Sequence, residues 1–301
     1  MSSRPENPFL ASDVETALGR RYIVGYELGV GGQGAVFKAT RTARPDGEQV
    51  LDIVALKLHL YLNQDVRVER EIQAAENISH PALARMIEDG YCDVANRRTH
   101  YIAWEFIEGE TLAKRLRNGP LLEYDVLEIG RHVAAAIAAI WSRHIVHGDI
   151  KPSNIMLRED GGAVLIDLGA ARYLDQDNSP AARKPIGTPG YFSPEQARGE
   201  KRLSCASDVF SLGVVMLQSL LGRHPTNYHQ STLSEGIRAS GGKLAASTGL
   251  LSALDKMLSP KPAFRPSPVG LSDYFHRLQE TIQEEFATRA RPGHKTGDTS
   301  R

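Results

Sequence analysis

The chain has 301 residues, 41% hydrophobic and 24% charged, the balance of a soluble globular protein with room for one large domain or two modest lobes. Lysine plus arginine equals aspartate plus glutamate at 36 each, so the overall charge argues for no nucleic acid and no anionic membrane, while leaving a local basic patch open. Cys92 and Cys205 stand far apart and outside any CxxC or Cys/His cluster, which points to reduced thiols and a cytoplasmic protein.

Residues 1–20 are polar and expected to be flexible, apart from a short helix at Asp13–Leu18. Their opening, MSSRPENPFLASD, lacks the apolar run of a signal peptide. From 21 to 107 the pattern is mostly β, with strands expected at Tyr22–Leu28, Ala35–Thr40, Val50–Leu58, Leu83–Tyr91 and Thr99–Phe106. RPDG at 44–47 marks a turn, and one helix, Val66–Asn77, carries Ile72 and Ala75 on one face.

After IEGETL (Ile107–Leu112) the character becomes helical over 108–281. Tyr124–His144 is rich in Ala and Ile at helical spacing, and Ser207–Gly222 is apolar nearly all round, as a buried central helix would be. Two short strands, Ile155–Leu157 and Ala163–Ile166, flank a DGG turn. Residues 282–301, ending RARPGHKTGDTSR, read as a disordered tail. The longest apolar runs, Val133–Trp141 and Leu212–Leu217, are too short to span a bilayer, so any membrane attachment would lie outside this chain. The outline is α+β and bilobal, a small β-rich N-lobe (21–107) and a larger helical C-lobe (108–281), with a hinge near Glu105–Gly109.

LGVGGQGAVFKA, Leu28–Ala39, sets Gly29, Gly31 and Gly34 in G-x-G-x-x-G. A strand pattern, AVFKAT, follows where a dinucleotide-binding unit would need a helix, so the glycines cap a hairpin. Taken alone, this segment suits a plain glycine-rich hairpin as well as a backbone cradle for phosphates. Lys57, closing VALK (Val54–Lys57), is by itself either a solvent-facing strand residue or a phosphate ligand. Glu71, on the next helix, supplies the partner that would hold its ammonium over a phosphate site.

HGDIKPSN, His147–Asn154, concentrates more chemistry. Asp149 can accept a hydroxyl proton, Lys151 can neutralise a transferring phosphoryl group, and Asn154 can offer a carbonyl oxygen to a hard cation. Asp167, in DLG at 167–169, adds a second carboxylate after a short strand. The joined spacings argue against a surface loop with chance polar residues.

On these motifs the chain resembles the eukaryotic-type (Hanks-type) serine/threonine protein kinases, and most of all their bacterial members, from about Tyr22 to Leu278. The resemblance implies transfer of the γ-phosphoryl of ATP, with Mg²⁺ (or Mn²⁺), to a protein substrate. It implies that Gly29, Gly31 and Gly34 fold over the phosphates, and that Val36 and Ala55 roof the adenine above Met156. Glu105 and Ile107 would contact the nucleotide at the hinge. Lys57 would bind the α- and β-phosphates and pair with Glu71. Asp149 would be the catalytic base, Lys151 a phosphate contact, and Asn154 and Asp167 the metal ligands. GTPGYFSPE (Gly187–Glu195) resembles the substrate-docking segment, Asp208 the aspartate of the central helix, and Arg265 the arginine that pairs with Glu195.

Three departures bear on function. Gly148 replaces the arginine of His-Arg-Asp, a non-RD sequence, and Leu168 replaces the phenylalanine of Asp-Phe-Gly. Trp104 stands at the gatekeeper position, where it would close the pocket behind the adenine, serve as core packing, or do both. Between Gly169 and Gly187 the only serine or threonine is Ser179, and Thr188 is expected to bridge Asp149 and Lys151. Activity is therefore expected not to depend on activation-loop phosphorylation, and control falls to a regulatory protein partner, the N-terminal segment or placement of the Glu71 helix. Two alternatives stand beside an active kinase. One is a pseudokinase or nucleotide-binding scaffold. The other is a small-molecule kinase of the aminoglycoside or choline type, a class without the Ser-Pro-Glu segment and its arginine.

Overall fold

The structure, a computed structural model, describes residues 7–31, 34–59, 65–76, 78–159, 161–173, 187–200, 202–225 and 246–290. Strands β1 (Tyr22–Val30), β2 (Gly34–Ala43), β3 (Gln49–His59), β4 (Met86–Val94) and β5 (Arg97–Glu105) form one antiparallel sheet in the order β1-β2-β3-β5-β4. Side chains alternate across it, giving two faces with separate tasks. One face buries Phe37, Val54, Leu56, Leu58, Tyr101 and Ala103 in the N-lobe core. On the other, Val36, Lys57 and Ile102 lie in register across three strands, with Ala55 beside Trp104.

The first face is covered by the N-terminal segment, which corrects the expectation of a flexible stretch for its described part, residues 7–20, and bears out the helix expected at Asp13–Leu18. Helix α1 (Ala11–Leu18) drives Val14 and Leu18, together with Phe9, into that core. Val14 and Leu18 are one helical turn apart, so even this short amphipathic helix has an apolar stripe to bury. Beside it, Arg21 and Arg41 converge on the buried Glu88 carboxylate, which also accepts the Tyr22 hydroxyl at 2.7 Å. Helix α2 (Asp65–Glu76) serves the second face, with Val68 and Ala75 clustering around Ile102 and Trp104.

The expected strand at Leu83–Tyr91 begins later, at Met86, because Leu83 has another partner. Residues Ala82–Ala84 bracket Leu165 of β9 (Ala163–Leu165), with Leu165 N–H donating to the Ala82 carbonyl at 2.9 Å and Ala84 N–H to the Leu165 carbonyl at 3.0 Å. The N-lobe is thereby stitched to the strand that leads into Asp167.

The C-lobe is organised around α6 (Cys205–Leu221), capped by Ser204 and buried on almost every side, as its all-round apolar sequence requires. Helix α4 (Glu123–Trp141) packs on it, and two small sheets, β6 (Gly109–Thr111) with β8 (Ile155–Arg158) and β9, and β7 (Ile145–Val146) with β10 (Arg172–Tyr173), carry the loops of interest. Helix α3 (Leu112–Arg115), capped by the Thr111 hydroxyl, follows β6; α5 (Pro194–Ala197) precedes α6, and α7 (Thr248–Met257) packs on it.

A tail starting at 282 is corrected in its described part. Helix α8 (Pro268–Ala290) packs Leu271 and Phe275 against α4 and continues for another two turns past 282. Gln279 donates to Glu128 at 2.8 Å and Gln283 to the Tyr124 hydroxyl at 2.7 Å, so neighbours on α4 extend a helix whose last turns are polar and exposed. Residues 291–301 lie outside the described residues. No described helix is long and apolar enough to cross a membrane.

Candidate active site

Lys57 points from β3 into the space between the lobes and is buried with two carboxylates. Its Nζ donates to Glu71 Oε1 and Oε2 at 2.7 and 3.0 Å and to Asp167 Oδ1 at 2.8 Å. Burial works against the Lys57 ammonium, but Asp167 and Glu71 override it and hold the group well above the usual lysine range. Burial likewise works against an Asp167 anion, yet Lys57 and the Gly169 N–H hold its carboxyl down at about 2. The solvent-facing reading of Lys57 is excluded, and the triad spans β3, α2 and the segment after β9.

The loop 147–154 leaves β7 and returns into β8. Asp208, in the first turn of α6, accepts the N–H of His147 at 2.8 Å and of Gly148 at 2.9 Å, and both residues are buried or backbone-locked by it. Burial pushes the Asp208 carboxyl up, opposed by His147 and these two donors. Gly148 has φ +78°, a conformation natural to glycine. Lys151 Nζ donates to Asp149 Oδ2 and to Thr188 Oγ1, both at 2.7 Å, so it is Lys151, rather than Thr188 as expected, that bridges the other two. Asn154 Nδ2 donates to the Asp149 carbonyl at 3.0 Å, and the Ile166 N–H donates to the Asn154 carbonyl at 2.8 Å. This last bond sets Asn154 beside the strand end that bears Asp167.

One atom in this loop is left over. Asp149 Oδ1 is buried and has no hydrogen-bond partner among the described residues. An unpaired buried carboxylate oxygen costs stability, and it is available to a hydroxyl brought to the site.

The three glycines divide by cause. A Cβ on Gly34 would lie 2.2 Å from the Leu58 carbonyl oxygen, so β2–β3 packing alone demands glycine there. Around Gly29 and Gly31 a Cβ would meet nothing within 4 Å, so no neighbour among the described residues explains them. Val36, Ala55 and Met156 are all half-buried apolar residues. Glu105 ends β5, with its carboxylate 3.2 Å from Arg158 and 3.7 Å from Arg85, and Ile107 is buried just beyond it. Trp104 is buried beside Ala55 in the large core cluster, so core packing holds whatever else the indole does.

Behind the site, Glu195 and Arg265 form a fully buried bidentate pair at 2.6 and 2.9 Å, with the guanidinium 4.9 Å from the Phe210 ring centroid. Ser193 caps α5 in a reciprocal box with Gln196. Gln196 Nε2 donates to the Gly148 carbonyl at 3.1 Å, a contact across the fold that no motif in the sequence announces. Ser207, donating to Glu195 at 2.8 Å, is similarly unmarked. Ser179 and the rest of 174–186 lie outside the described residues.

No group of three or more His, Cys, Asp or Glu side chains suited to a metal occurs among the described residues. Asp167 and Asn154 instead offer one carboxylate and one amide oxygen, the hard and incomplete donor set that suits Mg²⁺ shared with phosphate oxygens. Asn154 uses its NH₂ group on Asp149, which leaves its side-chain oxygen as the donor.

A family model described as protein kinase domain matches residues 22–278. Curated relatives include a probable serine/threonine-protein kinase of Corynebacterium efficiens, 34% identical over 68% of this chain and 31% of its own length. Serine/threonine-protein kinase PknB of Mycolicibacterium smegmatis is 34% identical over 69% of this chain and 33% of its own. Serine/threonine-protein kinase PknA of a Nostoc species is 31% identical over 84% and 46% respectively. The chain spans 31–46% of the length of these relatives. It belongs to the protein kinase family, and its relatives here are bacterial serine/threonine kinases.

Proposed function

We propose that this chain is a serine/threonine protein kinase domain of the non-RD type, transferring the γ-phosphoryl of ATP to hydroxyl groups of a protein substrate. The observation that carries the reading is the Lys57–Glu71–Asp167 triad joined, through the Ile166–Asn154 hydrogen bond, to a loop whose Asp149 keeps a free buried oxygen.

In this reading Lys57 engages the α- and β-phosphates, held in place by Glu71. The open space around Gly29 and Gly31 lets backbone N–H groups approach the phosphate chain. The acceptor oxygen attacks the γ-phosphorus, its proton passes to Asp149 Oδ1, and ADP departs with the electron pair of the broken P–O bond. Lys151, already beside Asp149, offsets charge on the transferring group. Mg²⁺ or Mn²⁺ held by Asp167 and Asn154 would neutralise phosphate oxygens. The chain's own contribution is positioning and electrostatic stabilisation. The absent arginine at Gly148 supports control by a regulatory protein partner, the docked N-terminal segment or the placement of α2.

The test is incorporation of labelled phosphate into a generic protein acceptor. Asp149→Asn should abolish transfer while ATP binding persists, because the base touches the acceptor; Asp167→Asn should also weaken Mg·ATP binding. Near wild-type turnover of Asp149→Asn would refute the assignment. A nucleotide-binding scaffold is the second reading, favoured by the bulk of Trp104 behind Ala55, and it predicts ATP binding with no labelled product in the wild-type chain.

A further inference from the structure

Gly148 is held from both sides, and only one of the two holders has been given a role. Its N–H is fixed by Asp208 Oδ1 at 2.9 Å. Its carbonyl oxygen, the last backbone acceptor before Asp149, is fixed by Gln196 Nε2 at 3.1 Å. Gln196 is buried, 4% exposed, and its remaining polar atom is also committed: Oε1 accepts the Ser193 N–H and the Ser193 hydroxyl, both at 3.1 Å. The amide therefore works in two directions. Its oxygen closes the cap of α5, and its nitrogen reaches 48 residues back along the chain to the catalytic loop.

We infer that Gln196 is a positioning residue for phosphoryl transfer, setting the orientation of the Gly148–Asp149 peptide and through it the Asp149 carboxylate. This rests on the kinase reading above. A glycine at φ +78° carries no side chain to restrict it, so the 148–149 peptide plane depends on what the Gly148 carbonyl and the Asp149 N–H are bonded to, Gln196 Nε2 at 3.1 Å and His147 Nδ1 at 3.2 Å. The packing around it confirms how little play is allowed. A Cβ on Gly187 would lie 2.5 Å from the Gly148 oxygen and 3.5 Å from Asp149 Oδ1, so that carbonyl and the free carboxylate oxygen share one tight space. Without the Gln196 donor the buried carbonyl is unpaired and the peptide is held only through the Asp149 N–H on His147 Nδ1, a pivot about which it can tilt, carrying the Asp149 carboxylate with it. Gln196 also lies on the segment that carries Thr188, whose hydroxyl meets Lys151. Two hydrogen bonds, Lys151–Thr188 and Gln196–Gly148, thus register segment 187–199 against the loop 147–154.

Gln196→Glu separates the two directions. A carboxylate can still accept from Ser193, since Ser-x-x-Glu is the common form of the capping box, but it cannot donate to Gly148. A buried carboxylate facing the Gly148 carbonyl should lower the unfolding temperature, so kcat is measured well below it; for a generic protein acceptor kcat falls about 10- to 100-fold, as misplacement of a reacting group by about 1 Å does. KM for ATP should be unchanged, because Asp149 contacts the acceptor. Gln196→Met, neutral and similar in length, removes cap and tether together and is assayed well below its own melting temperature, which keeps the test decisive if the carboxylate variant does not fold. Either folded variant with kcat within twofold of wild type would overturn the inference, as would a rise in KM for ATP that accounts for the whole loss. A wild-type chain that transfers no phosphate would instead defeat the kinase reading itself.

Discussion

Replacing Arg265 by methionine should destabilise the chain by an amount set by what the guanidinium leaves behind. Arg265 donates to both Glu195 oxygens at 2.6 and 2.9 Å, to the Ala206 carbonyl at 2.9 Å and, through Nε, to the Ser259 carbonyl at 2.9 Å. Methionine fills the space over Phe210 but makes none of these bonds. Glu195 then keeps the Ser207 hydroxyl as its remaining side-chain donor while staying 2% exposed. Removing one partner of a buried pair costs about 3–5 kcal/mol, a large part of a usual total of about 5–15 kcal/mol. The pH dependence carries a definite sign. In the wild type, burial works against the Glu195 anion but Arg265 and Ser207 prevail, so its carboxyl is depressed and contributes stability above its unfolded pKa, lost only as pH falls through the folded value. In Arg265→Met burial prevails, the folded pKa rises above the unfolded one, and the penalty fades as pH falls and the carboxyl takes up its proton. Urea unfolding of both proteins should therefore give a gap at pH 7 that narrows at pH 5. Arg265→Met combined with Glu195→Leu should recover part of the loss. A gap at pH 7 below about 1 kcal/mol, the value of an exposed pair, or one identical at both pH values, would refute the account.

Trp104→Gly should cost about 3–5 kcal/mol in unfolding free energy and open a cavity behind the adenine position. Turnover with N6-bulky ATP analogues should rise, and an unchanged preference in the folded variant would remove Trp104 from the gatekeeper position. Val14→Asp places a carboxylate among Phe9, Phe37 and Leu56 and should cost about 3 kcal/mol or more, read as a lowered melting temperature. A melt that superimposes on wild type would show α1 to be dispensable to the N-lobe. Phosphatase treatment and Ser179→Ala should each leave turnover within about tenfold, or about 1.4 kcal/mol in activation free energy, because Gly148 offers no guanidinium to a loop phosphate. A larger loss in both would reveal a phosphate switch built on another cation.

The candidate site was legible to the extent that its chemistry sits in short contiguous runs. HGDIKPSN packs a carboxylate, an ammonium and an amide into eight residues because a loop fixed at both ends by β7 and β8 must present them together. The Lys57–Glu71 pairing could be read because a strand and the helix after it approach each other locally. Legibility ended where a residue answers to a distant partner. The reason Gly34 must be glycine is the Leu58 carbonyl on another strand, although in sequence it looks the same as Gly29 and Gly31, which no described residue crowds. Leu83 reads as strand by its neighbours, yet its backbone serves β9. The docking of the N-terminal helix and the last turns of α8 escaped composition for the same reason, since the sheet core holds one and α4 the other. Gln196 is the extreme case: nothing in SPEQ distinguishes a helix cap from a tether, and only the approach of Gly148 gives its nitrogen a task. Gly148 brings no side chain to the catalytic loop, and its backbone is held by groups elsewhere in the fold, Asp208 on the amide and Gln196 on the carbonyl.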